Sequence, residues 1–66
     1  RKTVKYVVEL ANKETEVVDA PEYSVFGEVN DNGDLTIYKN HLNMLHPVAI
    51  AHYARGAWIS ATAEYD

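Results

Sequence analysis

The stretch HYARGAWIS, residues 52–60, decides how the second half of this chain is read. Taken with the residues before it, it can close a helix. Pro47 stands at a first helical position, Ala49, Ala51 and Ala54 follow, Arg55 falls near the end and Gly56 lies just beyond it. The same letters also read as a strand, a tight glycine turn before a tryptophan, and a second strand. Val48, Ile50 and His52 alternate with Ala49, Ala51 and Tyr53, and an isolated helix of about eight residues is poorly stable without substantial packing. Periodicity over so short a window does not choose between the two.

Outward from that stretch the pattern is clearer. TVKYVVEL sets Val4, Tyr6, Val8 and Leu10 against Lys5 and Glu9 in β-branched and aromatic company, the mark of a half-buried strand. ANKE supplies a polar turn, TEVVDA a second strand paired back on the first, and Pro21 a stop. In YSVFGEV, Tyr23, Val25 and Val29 share a face, and Gly27 within the run predicts a bulge or a close backbone approach. NDNGDLTIYK carries the strongest local signal. Asn32 and Gly33 tolerate the positive φ angles of a tight reversal, and the flanking FGEV and LTIY make it a hairpin. Leu35 and Ile37 then share one face, Thr36 and Tyr38 the other.

With 66 residues, the chain forms one domain over 1–66. A domain this short buries only about 60% of the surface that its unfolded form exposes, so added burial through self-association is expected to help. There are no cysteines, which removes disulfides and thiolate metal sites and fits a reducing cytoplasm. No apolar run approaches the roughly 18 residues of a membrane span, and the Arg1-Lys2 start is not followed by a signal-peptide core. A soluble, cytoplasmic domain without membrane contact is expected.

The net charge of −4 is unevenly spread. Glu9, Glu14, Glu16, Asp19, Glu22, Glu28, Asp31 and Asp34 stand against Lys13 alone, whereas Leu35 to Ala63 holds no acid, only Lys39, Arg55 and three histidines. A negative chain without a basic footprint argues against nucleic acid as a partner. The acidic half reads as a solvated face. The acid-free half can lie against another subunit, a partner or a small anionic ligand without like-charge repulsion.

The segments VVDAPEYSV, GDLTIYK, VAIAHYARGAW and ISATAEY together resemble short uncharacterised β-rich proteins of actinobacteria and their phages. The matching positions are Ala20, Tyr23, Val25, Gly33, Leu35, Ile37, Tyr38, Val48, Ala49, Tyr53, Ala54, Gly56, Ala57 and Trp58. The resemblance implies the strand reading of residues 48–60, with Gly56 in the turn. It brings no known activity or ligand. Where the similar proteins have a short polar turn after the fourth strand, this chain has KNHLNMLHP. The fold expected is mainly β, a six-stranded barrel or sandwich similar to SH3-like domains in size, the alternative being a β sheet plus one short helix at about 47–55.

Catalytic chemistry is not expected. His41, His46 and His52 match neither a helical i, i+4 pair nor a finger spacing, so no metal is expected, and no cofactor motif is present. Ser24 and Ser60 lack a glycine elbow, and Glu14 with Glu16 or Asp31 with Asp34 sit in exposed, turn-rich stretches. The aromatic residues mostly occupy inward strand positions. Strand parity sets Trp58 with Ser60 and Thr62, away from Ile59, Ala61 and Ala63, and so over a second face. The reading is a non-catalytic binding protein, on the resemblance a phage-encoded accessory or counter-defence protein acting on a host protein. Its alternatives are a virion decoration or assembly protein and a sponge for a small anionic nucleotide signal. The expected partner is a protein or a second copy in a homodimer. The expected contact residues are His41, Leu42, Met44, Leu45 and His46 of the long connection, with Arg55 and Trp58, because apolar groups in a connection either tuck onto the core or face a partner. The loop histidines would make that contact proton-dependent.

Overall fold

The computed structural model describes residues 3–21, 23–40 and 45–65. These form six strands: β1 (Thr3–Leu10), β2 (Thr15–Asp19), β3 (Ser24–Val29), β4 (Leu35–Asn40), β5 (Val48–Tyr53) and β6 (Trp58–Tyr65). Among the described residues there is no helix, and none long and apolar enough to cross a membrane. The strand reading of HYARGAWIS therefore holds. The helix alternative fails for a physical reason: β5 pairs with β4 from Lys39↔Val48 to Leu35↔Tyr53. That ladder satisfies backbone groups which a two-turn helix would leave unpaired at both ends.

The strands make two three-stranded antiparallel sheets, ordered β2-β1-β6 and β3-β4-β5, and the described strands close no barrel. Both sheets feed one core. Val8 of the first sheet, Val25, Leu35 and Ile37 of the second, and Ala20 in the connection are buried, with Tyr6, Val18, Trp58 and Tyr53 packed against them. Tyr6, Val8 and Leu10 thus share the core face that the alternation implies, with Val8 fully buried and Glu9 exposed.

Gly27 resolves the choice between bulge and close approach. Its ladder runs without a break through Gly27↔Ile37, and a Cβ built on it would lie 3.4 Å from the Tyr6 ring. The ring of one sheet lies against the backbone of the other at Gly27, close enough that a Cβ there would be in van der Waals contact with it, so the glycine marks a close approach of the two sheets.

Three register shifts break the alternation that the sequence implies. An extra residue enters β1 between Thr3 and Lys5, β6 at Ile59 and β5 at Ile50. A bulge turns the side chains beyond it to the opposite face. At Ile59 this reverses the expected placing of Trp58. The indole joins Leu10 in the register and packs on the core, and Ile59 is left 54% exposed.

Candidate functional site

The two ends of the β4–β5 hairpin carry different chemistry. At the Leu35↔Tyr53 end, three turns are tied together. In the β3–β4 turn, the Asn30 side-chain oxygen accepts the N–H groups of Asn32 (2.9 Å) and Asp34 (3.0 Å). Gly33 takes φ 87° and its N–H donates to the Asn30 carbonyl at 3.0 Å. The β5–β6 turn, with Gly56 at φ 88°, docks on this loop. The Arg55 N–H donates to Asp34 Oδ1 at 2.8 Å, and Trp58 Nε1 donates to the Gly33 carbonyl at 3.1 Å. The Arg55 stem crosses Gly33 so closely that a Cβ there would lie 3.3 Å from Arg55 Cγ. From the first sheet, the Ala11 N–H donates to the Ala57 carbonyl at 3.0 Å.

The Asp34 carboxyl is held below its ordinary pKa, first by the Arg55 N–H and then by the Asn30 amide and the charges of His52 and Arg55, against a partial loss of hydration. All these partners are structural. Arg55 and Trp58 thus sit in a clasp between turns, with the Arg55 side chain still reaching solvent.

The other end, at Lys39↔Val48, holds a shallow open groove of about 580 Å³ lined by Asp19, Ala20, Pro21, Tyr23, Lys39 and Ile50. The Lys39 ammonium stands 4.8 Å from the centre of the Tyr23 ring, and Ile50 is turned toward the core by the β5 bulge. Val48, the register partner of Lys39, is 46% exposed, and Leu45, three residues before it in the chain, is 91% exposed. An apolar lining with one cation at its side suits an apolar side chain that carries a neighbouring negative charge.

Of the expected contact residues, Leu45 and His46 are exposed, in the segment that leads into β5. Arg55 and Trp58 lie past the far end of β5, roughly 17 Å along the strand at about 3.3 Å per residue. His41, Leu42 and Met44 lie outside the described residues. Of the groove residues, Lys39 stands out in the sequence as a cation of the acid-free half suited to an anionic ligand, whereas Asp19, Tyr23 and Ile50 are not expected at a site. These residues come from four separate segments; the turn at Asn32 and Gly33 implies the pairing of β3 with β4, but no local signal brings Asp19 and Ile50 to it. The same geometry separates Lys39 from Arg55, so one copy of the chain does not gather these two cations into one pocket.

No group of three His, Cys, Asp or Glu side chains among the described residues stands where it could share a metal ion. His52 instead pairs with Thr36, Nδ1 to Oγ1, at 3.0 Å.

Among the described residues, Tyr53 makes a polar link between the edge strands β5 and β2. Its hydroxyl donates to Glu16 Oε1 at 2.7 Å. Partial burial, followed by that bond and the Glu16 charge, pushes its pKa from 10.0 to about 12. A tyrosine whose folded pKa is raised adds stability below its unfolded pKa and loses it as the pH climbs through the folded value. The thermal midpoint is therefore expected to drop between about pH 10 and about pH 12, and Tyr53→Phe to flatten that drop. Equal slopes for the two proteins would contradict the link.

The chain matches no protein-family model, no curated protein and no solved structure.

Proposed function

We propose that this chain is an open β-sandwich that works without catalysis, binding a protein partner through the groove at Lys39, Tyr23 and Ile50 together with the adjoining Leu45–Val48 segment. One observation carries the reading: an open, largely apolar groove has a cation at its wall, and the half-exposed Val48 pairs with that lysine in the register, with the nearly bare Leu45 three residues before it in the chain. Monomeric domains seldom expose contiguous apolar groups of this kind without a use for them. The partner segment offers an apolar residue next to an acidic one. The resemblance to short actinobacterial and phage proteins makes a host protein the partner and an accessory or counter-defence role the setting. A second reading, a self-assembling structural protein such as a virion decoration subunit, draws on the exposed edge of β6.

The test compares immobilised wild type with Lys39→Glu, the double variant Leu45→Asp/Val48→Asp, and Arg55→Ala in capture from host lysate. The double variant changes exposed positions and Lys39→Glu a half-buried one at the groove wall, and both are expected to stay folded by circular dichroism while losing the captured protein by roughly tenfold or more. Arg55→Ala is expected to keep it. Loss with Arg55→Ala alone would move the site to the clasp.

A further inference from the structure

From the edge of β6 we infer a second interaction surface: it pairs antiparallel with β6 of a second copy of this chain, about a two-fold axis through Thr62. β6 is the terminal strand of its sheet, hydrogen-bonded to β1 on one side and to no described strand on the other. Its extensive packing is with β1 alone, and five of its eight residues are exposed. Unpaired edges are templates for another strand unless charge, proline or a bulge blocks them. β2 carries Glu16 and Asp19, β3 carries Glu28 and the bare Gly27, and β5 is bulged at Ile50 and linked to β2 through Tyr53. In β6 the sole charge is Glu64, which already faces Lys5 across 3.4 Å.

The register follows from the bulges. They fall at the two ends of the β1–β6 ladder, between Thr3 and Lys5 and between Glu9 and Leu10. The unbroken stretch of β6 between them is Ser60–Glu64, and its midpoint is Thr62. A two-fold at Thr62 sets Ser60 opposite the partner's Glu64 and Ala61 opposite the partner's Ala63, with Thr62 facing its own copy. No like charges meet, and the hydroxyl of Ser60 faces a carboxylate. Just outside that stretch, the same register sets Ile59, 54% exposed, opposite the partner's Tyr65, 53% exposed. A centre one residue earlier would instead oppose Ile59 to Ala63 and set Tyr65 opposite Ala57, outside the strand. Isologous pairing of this kind joins two three-stranded sheets into one of six and supplies the added burial that a short domain needs.

Sedimentation equilibrium on wild type, Thr62→Lys, Thr62→Glu and an equimolar mixture of the two variants tests the surface. Wild type is expected to dimerise. Each variant, with like charges facing across the axis, is expected to weaken the dimer by roughly tenfold or more, and the mixture to restore a one-to-one dimer. Thr62→Cys gives an independent reading should a charged variant fail to fold. The chain has no other cysteine, so air oxidation is expected to yield a disulfide-linked dimer through position 62 with the fold intact. A wild type that stays monomeric into the millimolar range, dimers that survive in both charged variants, or a Thr62→Cys protein that resists cross-linking would overturn the proposal.

Discussion

Replacing Trp58 with alanine is expected to leave the domain mostly unfolded at room temperature. Truncating a buried tryptophan or phenylalanine costs about 3–5 kcal/mol, and a core of this size rarely supplies more than about 3–5 kcal/mol in total. The indole packs on the core, opposes Leu10, and donates to the Gly33 carbonyl. Its loss empties the space between the β5–β6 turn and the β3–β4 hairpin as well as deleting one bond. Trp58→Phe separates the two contributions. The ring remains and the donor goes, so a cost near 1 kcal/mol and a folded protein are expected. Urea melts followed by far-ultraviolet circular dichroism measure both. A Trp58→Ala protein of unchanged midpoint would mean that the indole faces solvent.

Ile37→Ala is expected to cost about 3–4 kcal/mol, in the upper half of the usual range for such truncations. The size of the effect follows from its neighbours. Ile37 is fully buried and lies in the register between Gly27 and Ala51, two residues with little side chain to swing into the hole. A cavity that its surroundings cannot fill costs more than one they can. Ile59→Ala is the comparison within the same chain, where the same group is removed from a bulge that is 54% exposed. A change within about 0.5 kcal/mol is expected there. Denaturant melts of the two variants side by side would contradict the assignment of the core if their costs were similar.

The difference between these two isoleucines marks how far the sequence could be read. Alternation in TVKYVVEL and the Asn32-Gly33 turn were legible, because strand period and positive φ are written into adjacent residues. The hairpin and the β1 face therefore stand as expected. Bulges are not written that way. A single extra residue at Ile50 or Ile59 leaves the local composition unchanged while it reverses everything beyond it, so strict parity turned Trp58 away from the core to which it belongs. The resemblance chose correctly between strand and helix for residues 48–53, where periodicity alone was balanced. For the candidate site, the apolar residues of the unusual connection were readable, among them Leu45, which is 91% exposed. The groove as a whole was not, since bringing Asp19 and Ile50 to Lys39 and Tyr23 depends on the course of the chain after β2 and on the β5 bulge.

The central claim is that HYARGAWIS is architecture: a strand, a glycine turn and a bulge that carry Trp58 inward and leave binding to the opposite end of the β4–β5 hairpin and to the edge of β6. Trp58 is the sole tryptophan, so its indole N–H gives one unambiguous signal. Its hydrogen-exchange rate, measured by nuclear magnetic resonance in the native protein, tests the claim directly. With the donor held on the Gly33 carbonyl, exchange is expected to be slowed by roughly a hundredfold or more relative to a free indole. Exchange as fast as that of free tryptophan would contradict the account, because it would place the ring in solvent, free for a partner.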